Sequence, residues 1–330
     1  MDVLVIGGTR FNGLHLVYEL TKNGHNVTVL NRGITEASLP KAIRRVYADR
    51  KDIEQLKGAL QNLNFDVVFD ISAYVLEDVE YITEVLKGHT GHYIFASSTV
   101  VYDKTDILPI TEDFPVNSTS QQSDYGRNKL VCEAFLTRLY REQNFPITIA
   151  RFSMVFGPDN NLINREQRMF MRMLSNRKIL IPGRGTTLSQ IGHVDDEARA
   201  LRMMARDSQT FGEIYNVTGK DYFSDEGYVD TCAKVLGVSP EKIFIPDSIM
   251  DKMAINIRQT LIQRLAPYIH LWDHNTLFSI DKLRKHLKYE PDYNLESAMT
   301  QTFEWFQSNN MHNTREYDFS DEDKLIAILS

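Results

Sequence analysis

Apolar and polar residues follow two rhythms along the first half of the chain. Short, nearly unbroken apolar runs, such as Val3-Leu4-Val5-Ile6, Val67-Val68-Phe69 and Tyr93-Ile94-Phe95-Ala96, are each followed by a longer stretch where apolar positions recur every three or four residues. Runs without alternation suit strands covered on both faces, and the longer stretches suit amphipathic helices. The pattern predicts strands at 3–6, 26–30, 44–48, 66–70, 92–96 and 147–150, and helices at 14–20, 53–63, 76–86 and 124–143. Asn23-Gly24 stops the first helix. Repeated strand–helix units with right-handed crossovers specify an α/β fold built on a doubly wound parallel sheet.

After Gly157-Pro158 the rhythm changes. Helical stretches at 165–175, 194–205, 224–236 and 296–306 dominate, with short strands at 178–181 and 213–217 between them. This reads as a smaller mixed α/β lobe that would hold a substrate. The expected division is 1–157 for the sheet domain and 158–330 for the lobe, with the chain free to cross between them. The tail is acidic from Asp318 to Asp323 and then apolar to Leu329, and is expected to dock rather than hang free.

Composition narrows the class. With 330 residues, 42% hydrophobic and 25% charged, the chain has the make-up of a globular enzyme. A net charge of −7 weighs against nucleic acid as the main partner. Cys132 and Cys232 form no CxxC pair and read as reduced, buried thiols. His89 and His92 sit in a turn without a carboxylate or thiol at ligand spacing, so they are expected to be solvent-exposed and no metal site is expected. No apolar run approaches the length of a membrane span, and a cytoplasmic location is expected.

The first strand runs straight into Gly7-Gly8-Thr9-Arg10-Phe11-Asn12-Gly13 and then a helix. That order places a dinucleotide pyrophosphate on a helix N-terminus, where free N–H groups and the dipole favour anions. Arg10 takes the middle glycine position of the fingerprint. The second strand ends in Asn31-Arg32-Gly33, without the acid that would accept from the ribose 2′-OH of NAD. Arg32 and Arg10 suit a 2′-phosphate instead, so NADP is favoured and NAD is the alternative. Asp49 and Arg50 are placed to touch the adenine end, and Ser72 and Ala73 complete the expected cofactor set with Gly7, Thr9, Phe11, Asn12 and Gly13.

Tyr125 and Lys129 lie four apart on one helix face. A tyrosine with a pKa near 10 is a poor base, but an adjacent ammonium favours the phenolate and can hold the nicotinamide ribose. Ser97-Ser98-Thr99, after the fifth strand, supplies a hydroxyl for the substrate oxygen.

Together these segments resemble an extended short-chain dehydrogenase/reductase of the NAD-dependent epimerase/dehydratase family, with a Rossmann-type domain. Arg151-Phe152-Ser153-Met154-Val155-Phe156-Gly157-Pro158 and His193-Val194-Asp195-Asp196 extend the likeness over nearly the whole chain. The resemblance implies Tyr125 as acid/base, Lys129 as ribose ligand and Ser98, four before Tyr102, as substrate-oxygen donor. It also implies a homodimer through the helices at 76–86 and 124–143. Thr99, Ser153, Gln190 and His193 are the substrate candidates. Within the family the chain is most similar to the subgroup containing chloroplast stem-loop-binding proteins, on stretches such as Gly8-Thr9-Arg10-Phe11 and Asn31-Arg32-Gly33.

Three departures shape the functional expectation. Thr99 and Val100 stand where sugar dehydratases of the family carry an acidic pair, which disfavours elimination. Ser189 stands where nucleotide-sugar enzymes carry a diphosphate-clamping arginine, for which Arg184 or Arg165 could substitute, and Ser153 replaces an asparagine. The expected function is an NAD(P)-dependent epimerase or reductase acting on a sugar or nucleotide-sugar. The alternatives are an RNA-binding or RNA-processing protein, or a cofactor-sensing regulator, on the same fold.

Overall fold

A computed structural model describes all residues except 36, 254–256, 259–260, 262–273, 315 and 330. Its centre is a seven-stranded, all-parallel sheet in the order β11-β6-β5-β4-β1-β2-β3. These strands are β1 (Asp2–Ile6), β2 (Asn26–Asn31), β3 (Arg44–Tyr47), β4 (Val67–Asp70), β5 (Tyr93–Ser98), β6 (Ile147–Phe152) and β11 (Ile214–Val217). The apolar runs pair with each other in register: Val3 lies beside Val27 on one side and Val67 on the other. Every residue of β4 and of β6 is buried, as strands covered on both faces require.

Helices cover both faces. On one face α1 (Phe11–Lys22) and α6 (Val194–Met204) pack Leu16, Val17, Leu20, Leu201 and Met204 against Val3, Val5 and Val29. On the other, α2 (Ile53–Leu60), α3 (Leu76–Leu86) and α4 (Asp124–Gln143) pack Leu56, Ile82, Leu86, Cys132 and Leu136 against Leu4, Val68 and Phe95. The strand order reverses between β1 and β4, and the crevice at their carboxyl ends is where such sheets bind ligands.

The lobe has its own core, built from α5 (Glu166–Leu174), α7 (Asp225–Leu236), the helix Leu295–Ser308 and the paired strands β8 (Ile179–Pro182) and β13 (Lys242–Ile245). Met169 and Met173 fill this core with Phe170, Phe303 and Phe306. The strand at 213–217, expected in the lobe, is corrected: it becomes β11 and closes the edge of the main sheet beside β6. A short apolar run carries no information about which sheet it joins.

The acidic tail is docked. Phe319 is buried against the guanidinium of Arg168, 4.7 Å from its ring centroid, and Glu322 is buried at 2.5 Å from Arg168 Nη2. His92 is corrected as well: it is fully buried, with Nε2 2.8 Å from Thr148 Oγ1, and burial pushes its pKa down to about 3. Cys132 and Cys232 are both buried free thiols. Among the described residues no helix is long and apolar enough to cross a membrane, and no group of His, Cys, Asp and Glu is arranged to hold a metal.

Candidate active site

The glycine turn is set by close packing. Gly7 has φ of 91°, and a Cβ there would stand 2.7 Å from Ser72 Cβ. A Cβ on Gly13 would stand 2.1 Å from the Gly7 carbonyl oxygen, so only glycine lets α1 start directly behind the turn. Arg10 is the extended residue before α1, with φ of −141°, and its side chain is exposed. A cleft of about 690 Å³ opens at this point, lined by Gly7, Thr9, Arg10, Phe11, Asn12 and Gly13 from the turn and by Asn31, Arg32, Asp49, Arg50, Ser72 and Tyr74 opposite.

Within that cleft the charged candidates divide. Arg10 and Arg32 make no ion pair among the described residues, whereas Arg50 is committed. Its Nη1 and Nη2 donate to Asp70 Oδ1 at 3.0 Å and Oδ2 at 2.6 Å, and to Ser72 Oγ and the Asp78 carbonyl, both at 2.9 Å. Arg50 lines the cleft and is also the partner of a fully buried carboxylate; burial acts to raise that carboxyl, and Arg50 holds it below the usual carboxylate range. Asn31 turns its Oδ1 onto the Gly33 N–H at 2.7 Å, so its side chain caps the turn. Ala73 is buried and faces the site only through its carbonyl.

A second cavity, of about 850 Å³, adjoins the first; Asn161 lines both. Its walls include Thr99, Gln121, Tyr125, Arg165, Thr276 and Phe278. Ser98 caps the single turn Thr99–Val101, its Oγ accepting from Val100 N at 3.3 Å, and its hydroxyl favours the Tyr125 phenolate. Ser97 is used elsewhere, donating to Glu133 Oε1 at 2.5 Å. Lys129 is 3% exposed, with Nζ 5.6 Å from the Tyr125 ring centroid, and donates to the carbonyls of Ala73 at 2.9 Å and Ala96 at 2.6 Å. The structure thus brings Ser98 and Lys129 close to Tyr125, which lines the second cavity.

The electrostatics differ from the sequence expectation. Burial raises the Tyr125 phenol above 10.0; the Ser98 hydrogen bond opposes this, Tyr74 adds to it and Arg165 opposes it. Lys129 is itself pushed down to about 8 by burial, with Asp70 acting against the fall. In this arrangement Arg165 is a cation that favours the phenolate. Tyr74, whose ring centroid is 5.7 Å from that of Tyr125, was not singled out in the sequence, although it directly follows Ser72-Ala73.

Of the substrate candidates only Thr99 lines the second cavity. Ser153, Gln190 and His193 line neither cavity, and each side chain meets a partner within the fold. Ser153 Oγ is 2.6 Å from Thr218 Oγ1. Gln190 is spent at both ends, on the Gly219 carbonyl at 2.6 Å and the Phe278 N–H at 2.8 Å. His193 caps α6, stacks on Tyr293 with centroids 3.9 Å apart, and is pushed down to about 4 by burial. Each side chain found a long-range partner that sequence spacing does not encode.

Comparison with known proteins agrees with this geometry. Residues 3–218 match the model of the NAD dependent epimerase/dehydratase family. The chain is 30% identical to the chloroplast stem-loop binding protein of 41 kDa b of Arabidopsis thaliana, over 98% of this chain and 84% of that protein. It is 26% identical to a putative UDP-glucose 4-epimerase of Methanocaldococcus jannaschii, over 93% of this chain and 99% of that one. Among solved structures its fold is similar to that of a UDP-glucuronic acid 4-epimerase from Bacillus cereus in complex with NAD, with a TM-score of 0.75, 22% identity and coverage of 95% of this chain and 99% of that one. The chain belongs to the NAD dependent epimerase/dehydratase family.

Proposed function

We propose that this protein is a nicotinamide-dependent epimerase or reductase acting on a sugar or nucleotide-sugar. The grouping of Ser98 and Lys129 around Tyr125, in the wall of the cavity that adjoins the dinucleotide cleft, carries the reading. The glycine turn and the adjoining cleft of about 690 Å³ fit a dinucleotide, with the turn's N–H groups facing the pyrophosphate. When bound, that cofactor supplies the hydride acceptor or donor. Tyr125 takes the proton of the substrate hydroxyl, or returns it to the carbonyl oxygen, and Ser98 donates a hydrogen bond to the same oxygen as charge develops there. Lys129 holds the ribose side of the cleft. Thr99 and Val100 offer no acid or base for elimination, which favours epimerase or reductase chemistry over dehydration.

Tyr125→Phe should cut turnover at least ~100-fold, the lower range for general acid–base catalysis. Full turnover by that variant on an identified substrate would overturn the assignment. Cofactor that stays bound through purification supports the epimerase; freely exchanging cofactor supports the reductase.

Arg10 and Arg32, both in the cleft wall and unpaired among the described residues, support NADP over NAD. Fluorescence titration with NADPH and NADH decides between them. NADPH should bind tighter, and Arg32→Ala should erase the difference. Equal or tighter NADH binding by the native protein assigns NAD.

A further inference from the structure

Three arginines, Arg151, Arg168 and Arg172, are buried and Arg50 is mostly buried; each meets a carboxylate. Arg50 lies 2.6 Å from Asp70, Arg151 2.6 Å from Glu133, Arg168 2.5 Å from Glu322 and Arg172 3.2 Å from Asp323. Arg165 departs from this rule. It stands at the start of α5 in the wall of the 850 Å³ cavity that holds Tyr125. Its Nη1 donates to the Val155 carbonyl at 2.9 Å, and its Nη2 reaches only the thioether of Met154 at 3.6 Å. No carboxylate comes within ion-pair distance of it among the described residues. The neighbouring Glu166 turns to Asn160 Nδ2 at 2.8 Å and is raised to about 7 by burial, and Glu197 is raised well above its usual range for the same reason.

A half-buried guanidinium with no carboxylate beside it keeps N–H groups for another acceptor, and a thioether is a poor one. A neighbouring group in the same wall is buried and unsatisfied. Thr99 is 4% exposed and its Oγ1 has no hydrogen-bond partner. Orphaned polar groups at a cavity wall mark where a ligand supplies the missing partner.

We propose that the substrate carries an anionic group, a carboxylate or a phosphoryl group, on its sugar portion, and that Arg165 binds it in the Tyr125 cavity while Thr99 Oγ1 bonds a further substrate oxygen. This rests on the reading of the cavity as the substrate site. It makes Arg165 a specificity-determining residue that selects sugar acids or sugar phosphates over neutral sugars. Arg184, the other candidate for an anion clamp, is exposed and does not line the cavity.

The experiment measures binding to the cofactor-loaded protein by calorimetry, with probe pairs that differ in charge. One arm compares UDP-glucuronate with UDP-glucose; the other compares glucose 6-phosphate with glucose. In at least one arm the anionic member should bind about tenfold tighter or more, the ratio given by about 1.4 kcal/mol. The arm that shows the preference names the anion. Arg165→Met should erase the preference, and Arg165→Lys, which keeps the charge, should retain part of it. Equal binding within both pairs, or a preference that survives Arg165→Met, overturns the inference. Tyr125→Phe should leave the preference intact, so a failed hydride-transfer assay and a failed anion preference are separate results.

Discussion

Lys129 Nζ donates to the carbonyl of Ala73 at 2.9 Å, which ties α4 to the segment that follows β4. The same ammonium reaches Ala96 O at the end of β5, so its position is fixed before any ligand arrives. Burial holds its pKa at about 8, below the usual 10.5. If the charged form holds the cofactor ribose, kcat/KM for the cofactor, which reports the free protein, should fall as pH rises through about 8. Lys129→Met should remove that limb and cost about 100-fold or more in turnover. A flat profile between pH 7 and 9.5 in the native protein would count against this role.

Gly13 and Gly58 predict opposite outcomes for one substitution. Gly13→Ala places a Cβ 2.1 Å from the Gly7 carbonyl, which must displace the turn and should abolish dinucleotide binding in a fluorescence titration. Gly58→Ala, on α2 with nothing within 4 Å of the new Cβ, should stabilise the fold by up to about 1 kcal/mol, read as a rise in Tm.

His15 makes the fold less stable at alkaline pH. Its Nδ1 is 2.5 Å from Asp195 Oδ1 and its Nε2 3.3 Å from Asp159 Oδ2, linking α1 to the start of α6. Burial opposes the charge, but the hydrogen bonds to Asp159 and Asp195 outweigh it and raise the imidazole from 6.5 to about 9. The folded form therefore binds this proton more tightly than the unfolded form. The resulting stability is fully present below pH 6.5 and is lost as pH rises through about 9. Tm should drop by a few degrees between pH 7 and 10, and His15→Gln should flatten that part of the curve.

The docked tail predicts a large loss from a single change. Glu322→Ala leaves the Arg168 guanidinium, 5% exposed, without its carboxylate. Breaking a buried pair in this way costs about 3–5 kcal/mol. Thermal unfolding should show it, and Arg168→Met combined with Glu322→Ala should recover part of the loss.

Several features were readable in the sequence because they depend on local order. The apolar runs marked the strands of the parallel sheet, and α4 spans Asp124–Gln143 as the pattern required. The strand–glycine–helix order at Gly7 to Gly13 marked the dinucleotide turn. Tyr125 and Lys129 followed from a helix repeat and the Ser97-Ser98-Thr99 cluster from its place after a strand, both short-range patterns, while the choice of Ser98 within the cluster followed from the family resemblance.

What the sequence alone determined is where elements form and which chemistry-bearing residues the chain possesses, because periodicity and turn chemistry act over a few residues. What only the tertiary structure decided is which partner each polar side chain meets. Arg50 found Asp70, Gln190 found Gly219 and Phe278, His92 found Thr148, and β11 found β6, all across separations of 20 residues or more. Burial forces each such group to satisfy its hydrogen bonds wherever the fold supplies them. Arg165, which the fold brought to the Tyr125 cavity without a carboxylate, became informative only through that comparison.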